Sequence, residues 1–150
     1  MQGVKRLLIV VLATGSLLLA GCASNAANTA DSGVKHKVVI QVSTDDPRTQ
    51  KIALNNAVNV QKDLGIDNVD IEIVAYGPGL SILAKKGKNA KRVSSLVLHS
   101  IIFSACGNTM KKVARKKGKA PVLVEGVKIV PAGVIRIMEL QEKGYSYIRP

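Results

Sequence analysis

The sequence predicts an α/β domain: a three-layer α/β/α sandwich around a mostly parallel five-stranded sheet. Three observations predict it. Short apolar runs alternate with helical patterns in the order strand, helix, strand, helices, strand, helix, strand, helix, strand. Runs such as Lys37–Ser43 are apolar on nearly every residue, as strands covered on both faces are. The chain is 47% hydrophobic but only 3% aromatic, so its core must be built from Val, Ile, Leu and Ala. Its 150 residues suit one domain of ordinary size.

The chain opens with a leader. Lys5 and Arg6 precede an apolar stretch, Leu7–Leu19, that is too short to span a bilayer comfortably. It runs into Leu19-Ala20-Gly21-Cys22. These four residues resemble the lipobox of bacterial lipoproteins. The resemblance implies a signal peptide over residues 1–21, cleavage before Cys22, and lipidation of Cys22 at its thiol and new amino group. Ala23 follows the cysteine where Asp would signal inner-membrane retention in enteric bacteria, which implies the outer membrane. The expected address is the periplasmic side of the cell envelope, with the membrane as a partner through the lipid. Residues 22–36 read as a flexible tether, because Ala23–Gly33 is mostly Ala, Asn, Ser and Thr. Such a coil spans roughly 20 Å on average.

The domain is expected over residues 37–150, with Lys37–Ser43 as its first strand. Asp46 is placed to cap the next helix, with Pro47 at the first helical position. That helix runs from about Arg48 to Leu64, buries Ile52, Leu54, Ala57, Val58 and Leu64, and ends at Gly65. Val69–Tyr76 is the second strand, and its charged start suggests an edge or a strand mouth. Gly77-Pro78-Gly79 is a tight turn just past its end. Leu80–Lys85 reads as a short helix and Lys88–Leu98 as another. Ser100–Ala105, β-branched at Ile101 and Ile102, is the third strand and stops at Cys106. Gly107-Asn108-Thr109 then punctuates the chain before a helix over Met110–Lys117, with Met110, Val113 and Ala114 on one face. Lys128–Val130 is the fourth strand. Pro131 starts the last helix, where Val134, Ile137, Met138 and Gln141 fall at helical spacing and Gly144 ends it. Tyr145–Ile148 is the fifth strand.

Cys106 is therefore expected where a strand ends and a helix begins. Open α/β sheets collect ligands at the carboxyl ends of their strands. A thiol there also feels the positive end of the following helix. The formal net charge is +12, and its distribution is uneven. No acidic residue occurs between Glu72 and Glu125, an interval that holds eleven of the 22 basic residues, from Lys85 to Lys119. Such a run is either a solvated basic face or an electropositive surround for a thiolate and for anionic substrates.

With Cys22 lipidated, Cys106 is the one free thiol of the mature chain, and an intrachain disulfide is excluded. A lone thiol in an oxidising compartment is buried, paired between chains, or used. Two readings of Cys106 stay open on the residues alone. It is a small buried hydrophobe, or it is a thiolate steadied by the backbone N–H groups of Gly107 to Thr109 and the side chains of Asn108 and Thr109. The Gly77-Pro78-Gly79 turn would form the opposite lip. Asn108 and Thr109 equally suit helix caps, and Gly77 and Gly79 equally suit a plain turn. His36 and His99 are the only histidines, and no Cys/His cluster has metal-ligand spacing. There is no phosphate loop and no dinucleotide fingerprint, so neither a metal nor a cofactor is expected. The envelope address and scarce aromatics argue against a nucleic-acid partner.

Several segments together resemble the DsrE/DsrF-like sulfur-relay family. They are Val38–Val42 followed by Asp45-Asp46-Pro47 and Ala53–Ala57, then Val74–Leu80, then Phe103–Met110, then Val130–Val134. The Cys-Gly-Asn-Thr and Val-Pro-Ala-Gly blocks are fairly specific together and weak apart. The resemblance covers about Lys37 to the C-terminus. It implies a small α/β/α domain that forms homo-trimers or homo-hexamers. It also implies that Cys106 is the catalytic, persulfide-bearing thiol, loaded by a small sulfur donor or a thiol protein partner. Gly107, Asn108, Thr109, Gly77 and Gly79 would then surround the substrate. Ser100 departs from the family pattern, in which a glycine commonly opens the third strand. The competing expectation is a non-catalytic oligomeric binding or scaffold lipoprotein whose basic face holds an anionic partner.

Overall fold

The computed structural model describes residues 35–150. The expected signal peptide, Cys22 and most of the expected tether lie outside the described residues. The tether's expected last residues already belong to the domain. Lys35 Nζ lies 2.8 Å from Asp70 Oδ1, and His36 N–H donates to Asn68 O at 2.8 Å.

The elements are β1 (His36–Val42), α1 (Pro47–Leu64), β2 (Val69–Ala75), a 3-10 helix (Gly77–Leu83), α2 (Ala90–Leu98), β3 (Ile102–Cys106), α3 (Gly107–Lys117), β4 (Lys128–Val130), α4 (Gly133–Glu142) and β5 (Ser146–Ile148). All five strands are parallel, in the order β4-β3-β2-β1-β5. Each step from β1 to β4 moves one strand in the same direction. Right-handed crossovers therefore put α1, the 3-10 helix, α2 and α3 on one face. β5 lies on the far side of β1, so the last crossover returns over the opposite face, and α4 lies there alone. The two cores follow from this topology. Ile40, Ile73 and Phe103 meet Leu54, Leu83 and Val93 in the large one, while Val39 and Val74 meet Ile137 and Leu140 in the small one.

Local chemistry sets the first helix as expected. Asp46 Oδ2 accepts from Thr49 N–H at 2.7 Å, Pro47 opens α1, and Gly65 ends it at φ +89°. Leu54 and Ala57 are buried and Val58 and Leu64 pack on the core, as expected. Ile52 is exposed instead, and Gln50 and Ala53 are buried. Gln50 tolerates burial because its amide is satisfied at both ends. Nε2 donates to Thr44 O (3.0 Å) and Ser81 Oγ (2.9 Å), and Oε1 accepts from Asn89 Nδ2 (2.9 Å).

β2 is not an edge strand, despite its charged start. It sits between β1 and β3, and Glu72 is 1% exposed. The carboxylate is held by Arg136 and Ser104, which removes the cost that would have driven it to an edge. The segment after the second strand begins as a 3-10 helix at Gly77, three residues before the expected start. A Cβ at Gly79 would lie 2.2 Å from Val42 O, so only glycine lets this helix pack on the end of β1. Ser100 has φ +64°, the left-handed conformation that makes glycine usual at such a position. The last helix starts at Gly133, two residues later than expected. It buries Gly133, Ile137 and Leu140, while Val134 and Met138 are half-exposed. With helical spacing available on two adjoining stripes, contact with β1 and β2 selects the Ile137–Leu140 side.

Candidate functional site

β3 and β4 are neighbours, with Cys106 paired to Val130. Yet α3 leaves β3 for one face of the sheet, and α4 leaves β4 for the other. Strand ends whose connections part in this way open a crevice, the topological switch point where α/β sheets bind ligands. Cys106 lies in it.

The helix expected to begin at Met110 begins at Gly107, directly after the cysteine. Gly107-Asn108-Thr109 is thus its first turn and not a loop, and Cys106 occupies the N-cap position. Gly107 makes the junction possible, since a Cβ there would sit 3.0 Å from Val130 O. From the other side comes the first residue of α4. A Cβ on Gly133 would lie 3.1 Å from the Tyr76 ring and 3.3 Å from Cys106 Cβ. Two helix N-termini therefore converge on one sulfur.

Burial is the largest influence on the thiol and pushes its pKa up. Against it act the Thr109 hydroxyl and the N–H groups of Thr109, Gly133 and Asn108, and together they hold the thiol below its ordinary value. The Cys106 side chain makes no capping hydrogen bond of ordinary geometry; donors turned toward a sulfur favour its ionised form over the neutral one. The largest influences are all local. The expected electropositive surround acts less on the thiol than these hydrogen bonds do. Gly77 N–H donates to Thr109 Oγ1 at 2.9 Å, which fixes the hydroxyl and leaves its proton for the sulfur. Asn108 N–H also donates to Pro131 O at 3.2 Å, tying the first turn of α3 to the end of β4.

Cys106 is 6% exposed and belongs to neither apolar core. Its neighbours form the walls of two clefts, and Cys106 itself lines neither of them. One, of about 480 Å³, has Tyr76, Gly77 and Pro78 on one side and Asn108, Thr109, Lys112 and Lys116 on the other. The second, of about 390 Å³, runs between Gly107, Asn108 and Lys111 and the segment Ile129–Ala132. Asn108 lines both. The structure thus brings together Cys106, Gly107, Asn108, Thr109 and Gly77. Gly79 is buried against β1 and lines neither cleft. His99 caps α2 at the start of β3, the opposite end of the strand from the thiol.

Sequence reasoning missed Tyr76, Gly133 and a buried ion pair. Glu72 Oε1 accepts from Ser104 Oγ (2.6 Å) and Arg136 Nε (2.8 Å), and Oε2 accepts from Arg136 Nη2 (2.8 Å). Burial raises the pKa of Glu72, but Arg136 and Ser104 outweigh it and keep the carboxyl below its usual range. Ser104 and Cys106 share a face of β3, and Arg136 N–H donates to Ala132 O in the first turn of α4. The pair therefore pins to the sheet the turn that carries Gly133. Gly133 had a sequence signal, a glycine at a helix start after a strand and a proline. Glu72 and Arg136 had none, being 64 residues apart.

A parallel sheet in this strand order, with a cysteine at its switch point, defines a class of small α/β domains that present a strand-end thiol between two helix N-termini. The chain belongs to the DsrE/DsrF-like family, whose model matches residues 36–150. It is similar to a solved protein of unknown function, MTH1491 from Methanobacterium thermoautotrophicum. The two are 34% identical with a TM-score of 0.70, over 77% of this chain and 100% of that one. No curated protein matches the sequence.

Proposed function

We propose that the chain is an envelope lipoprotein that carries sulfane sulfur on Cys106. What supports this reading is the cradle around the sulfur: N–H groups from α3 and α4, and a hydroxyl oriented by Gly77. A thiolate is the form that attacks sulfur. With a persulfide donor, the Cys106 thiolate bonds to the outer sulfur of R–S–SH. The S–S bond of the donor breaks, R–S⁻ leaves with the electron pair, and the proton stays on the transferred sulfur. With thiosulfate, the outer sulfur moves likewise and sulfite leaves. Neither step needs an oxidant. The same N–H groups then steady the persulfide anion until a second thiol takes the sulfur.

In this reading Cys22 carries a lipid anchor at the periplasmic side, outer membrane rather than inner, and the lipobox-like leader and Ala23 support it. A homo-trimer or homo-hexamer would cover Val134, Ile135 and Met138, which α4 leaves half-exposed. Lys112 and Lys116 on the cleft wall suit an anionic donor.

Polysulfide treatment followed by peptide mass spectrometry tests the reading. The peptide bearing Cys106 is expected to gain one sulfur atom, removable by dithiothreitol, and Cys106→Ser is expected to gain none. A Cys106 that stays unmodified while a free cysteine peptide loads under the same conditions would refute it.

A further inference from the structure

A third cleft adjoins, across α3, the one lined by Tyr76 and Thr109. It has a volume of about 380 Å³ and is rimmed by Lys85, Lys86, Lys117 and Lys119. The rest of its lining is apolar: Ala84, Val113, Ala120, Pro121 and Val122. Val113 lines both clefts. The walls are tied together by backbone: Lys85 N–H donates to Val122 O and Val124 N–H to Leu83 O, both at 2.9 Å. All four lysines are exposed, and among the described residues none is in an ion pair. Val122 stands 68% exposed between them.

We propose that this cleft docks an acidic, partly apolar peptide segment of a protein partner. Three features select that ligand over a phosphate group. The wall is the C-terminal end of α3, whose carbonyl groups repel an anion held close to the backbone. No arginine guanidinium is present to grip phosphate oxygens in pairs. Four ammonium groups among apolar lining residues match carboxylates interleaved with apolar side chains. A segment seated here would continue over Val113 into the cleft lined by Asn108 and Thr109, next to Cys106 in sequence. That the same partner exchanges sulfur with Cys106 rests on the reading given above, whereas the docking does not.

The test uses a fluorescein-labelled peptide of alternating Glu and Leu, with the full chain. Reversing Lys85 and Lys117 together (Lys85→Glu, Lys117→Glu) is expected to weaken binding by about tenfold or more. The control, Lys51→Glu with Lys62→Glu on α1, carries the same charge change and is expected to bind as the parent does. Binding is also expected to fall as salt rises. Equal weakening in both variants, or no peptide binding by the parent, would overturn the proposal. So would binding to phosphatidylglycerol vesicles that the cleft variant loses while the peptide fails to bind. Persulfide loading of Cys106 is measured on the same samples. Loading that fails while the peptide still binds removes the sulfur reading and leaves the docking site standing.

Discussion

Replacing Arg136 by methionine is expected to destabilise the domain by about 3–5 kcal/mol, the usual cost of leaving a buried charge without its partner. Glu72 is 1% exposed and takes two of its three side-chain hydrogen bonds from Arg136. Ser104 alone cannot satisfy both of its oxygens. Replacing both partners, with Glu72→Gln added, is expected to recover much of the loss, because the remaining group is then neutral. The pH dependence separates the cases. The Glu72 pKa lies below its unfolded value in the parent. Its contribution is therefore present above the ordinary carboxylate range and lost as pH falls through the folded pKa. Without Arg136 burial dominates, the sign reverses, and the variant is expected to gain stability as pH falls through that range. Urea denaturation at neutral and mildly acidic pH checks both statements. A loss below about 1 kcal/mol with an unchanged acid limb would mean that the pair is incidental to the fold.

Thr109→Val is expected to impair the thiol without removing it. Valine keeps the shape but supplies no hydroxyl for the sulfur and leaves Gly77 N–H without its acceptor. A hydrogen bond to a charged group contributes about 1.5–3 kcal/mol, so alkylation of Cys106 at neutral pH is expected to slow about tenfold. The orphaned Gly77 N–H costs about 1–3 kcal/mol of stability where water does not reach it. Thr109→Ser keeps the hydroxyl and is expected to stay near the parent in both measurements. If valine and serine behave alike, the hydroxyl does not act on the sulfur.

The fold was largely legible because its signals are local. Asp46, Pro47 and Gly65 declare the bounds of α1 through capping and φ preference, and uninterrupted aliphatic strands declare a sheet covered on both faces. Cys106 at the end of β3 was legible for the same reason: an apolar run stops there. The rest depends on contacts that no window of sequence contains. Glu72 looks like an edge residue until Arg136, 64 positions later, is folded against it. Ile52 and Gln50 exchange places because Thr44, Ser81 and Asn89 happen to satisfy the glutamine. Gly107 to Thr109 looks like punctuation, since three poor helix formers in a row give no hint that packing on β4 starts the helix there. The convergence of α4 on the thiol follows from β5 crossing to the far side of β1, a fact of topology.

The most direct test of the central claim, a reachable thiolate held by two helix ends, is the rate of iodoacetamide alkylation of Cys106 as a function of pH. Modification is expected under native conditions, with a midpoint below the value of about 8.5 for a free cysteine. A midpoint at or above that value, or no reaction until the domain is unfolded, would contradict it.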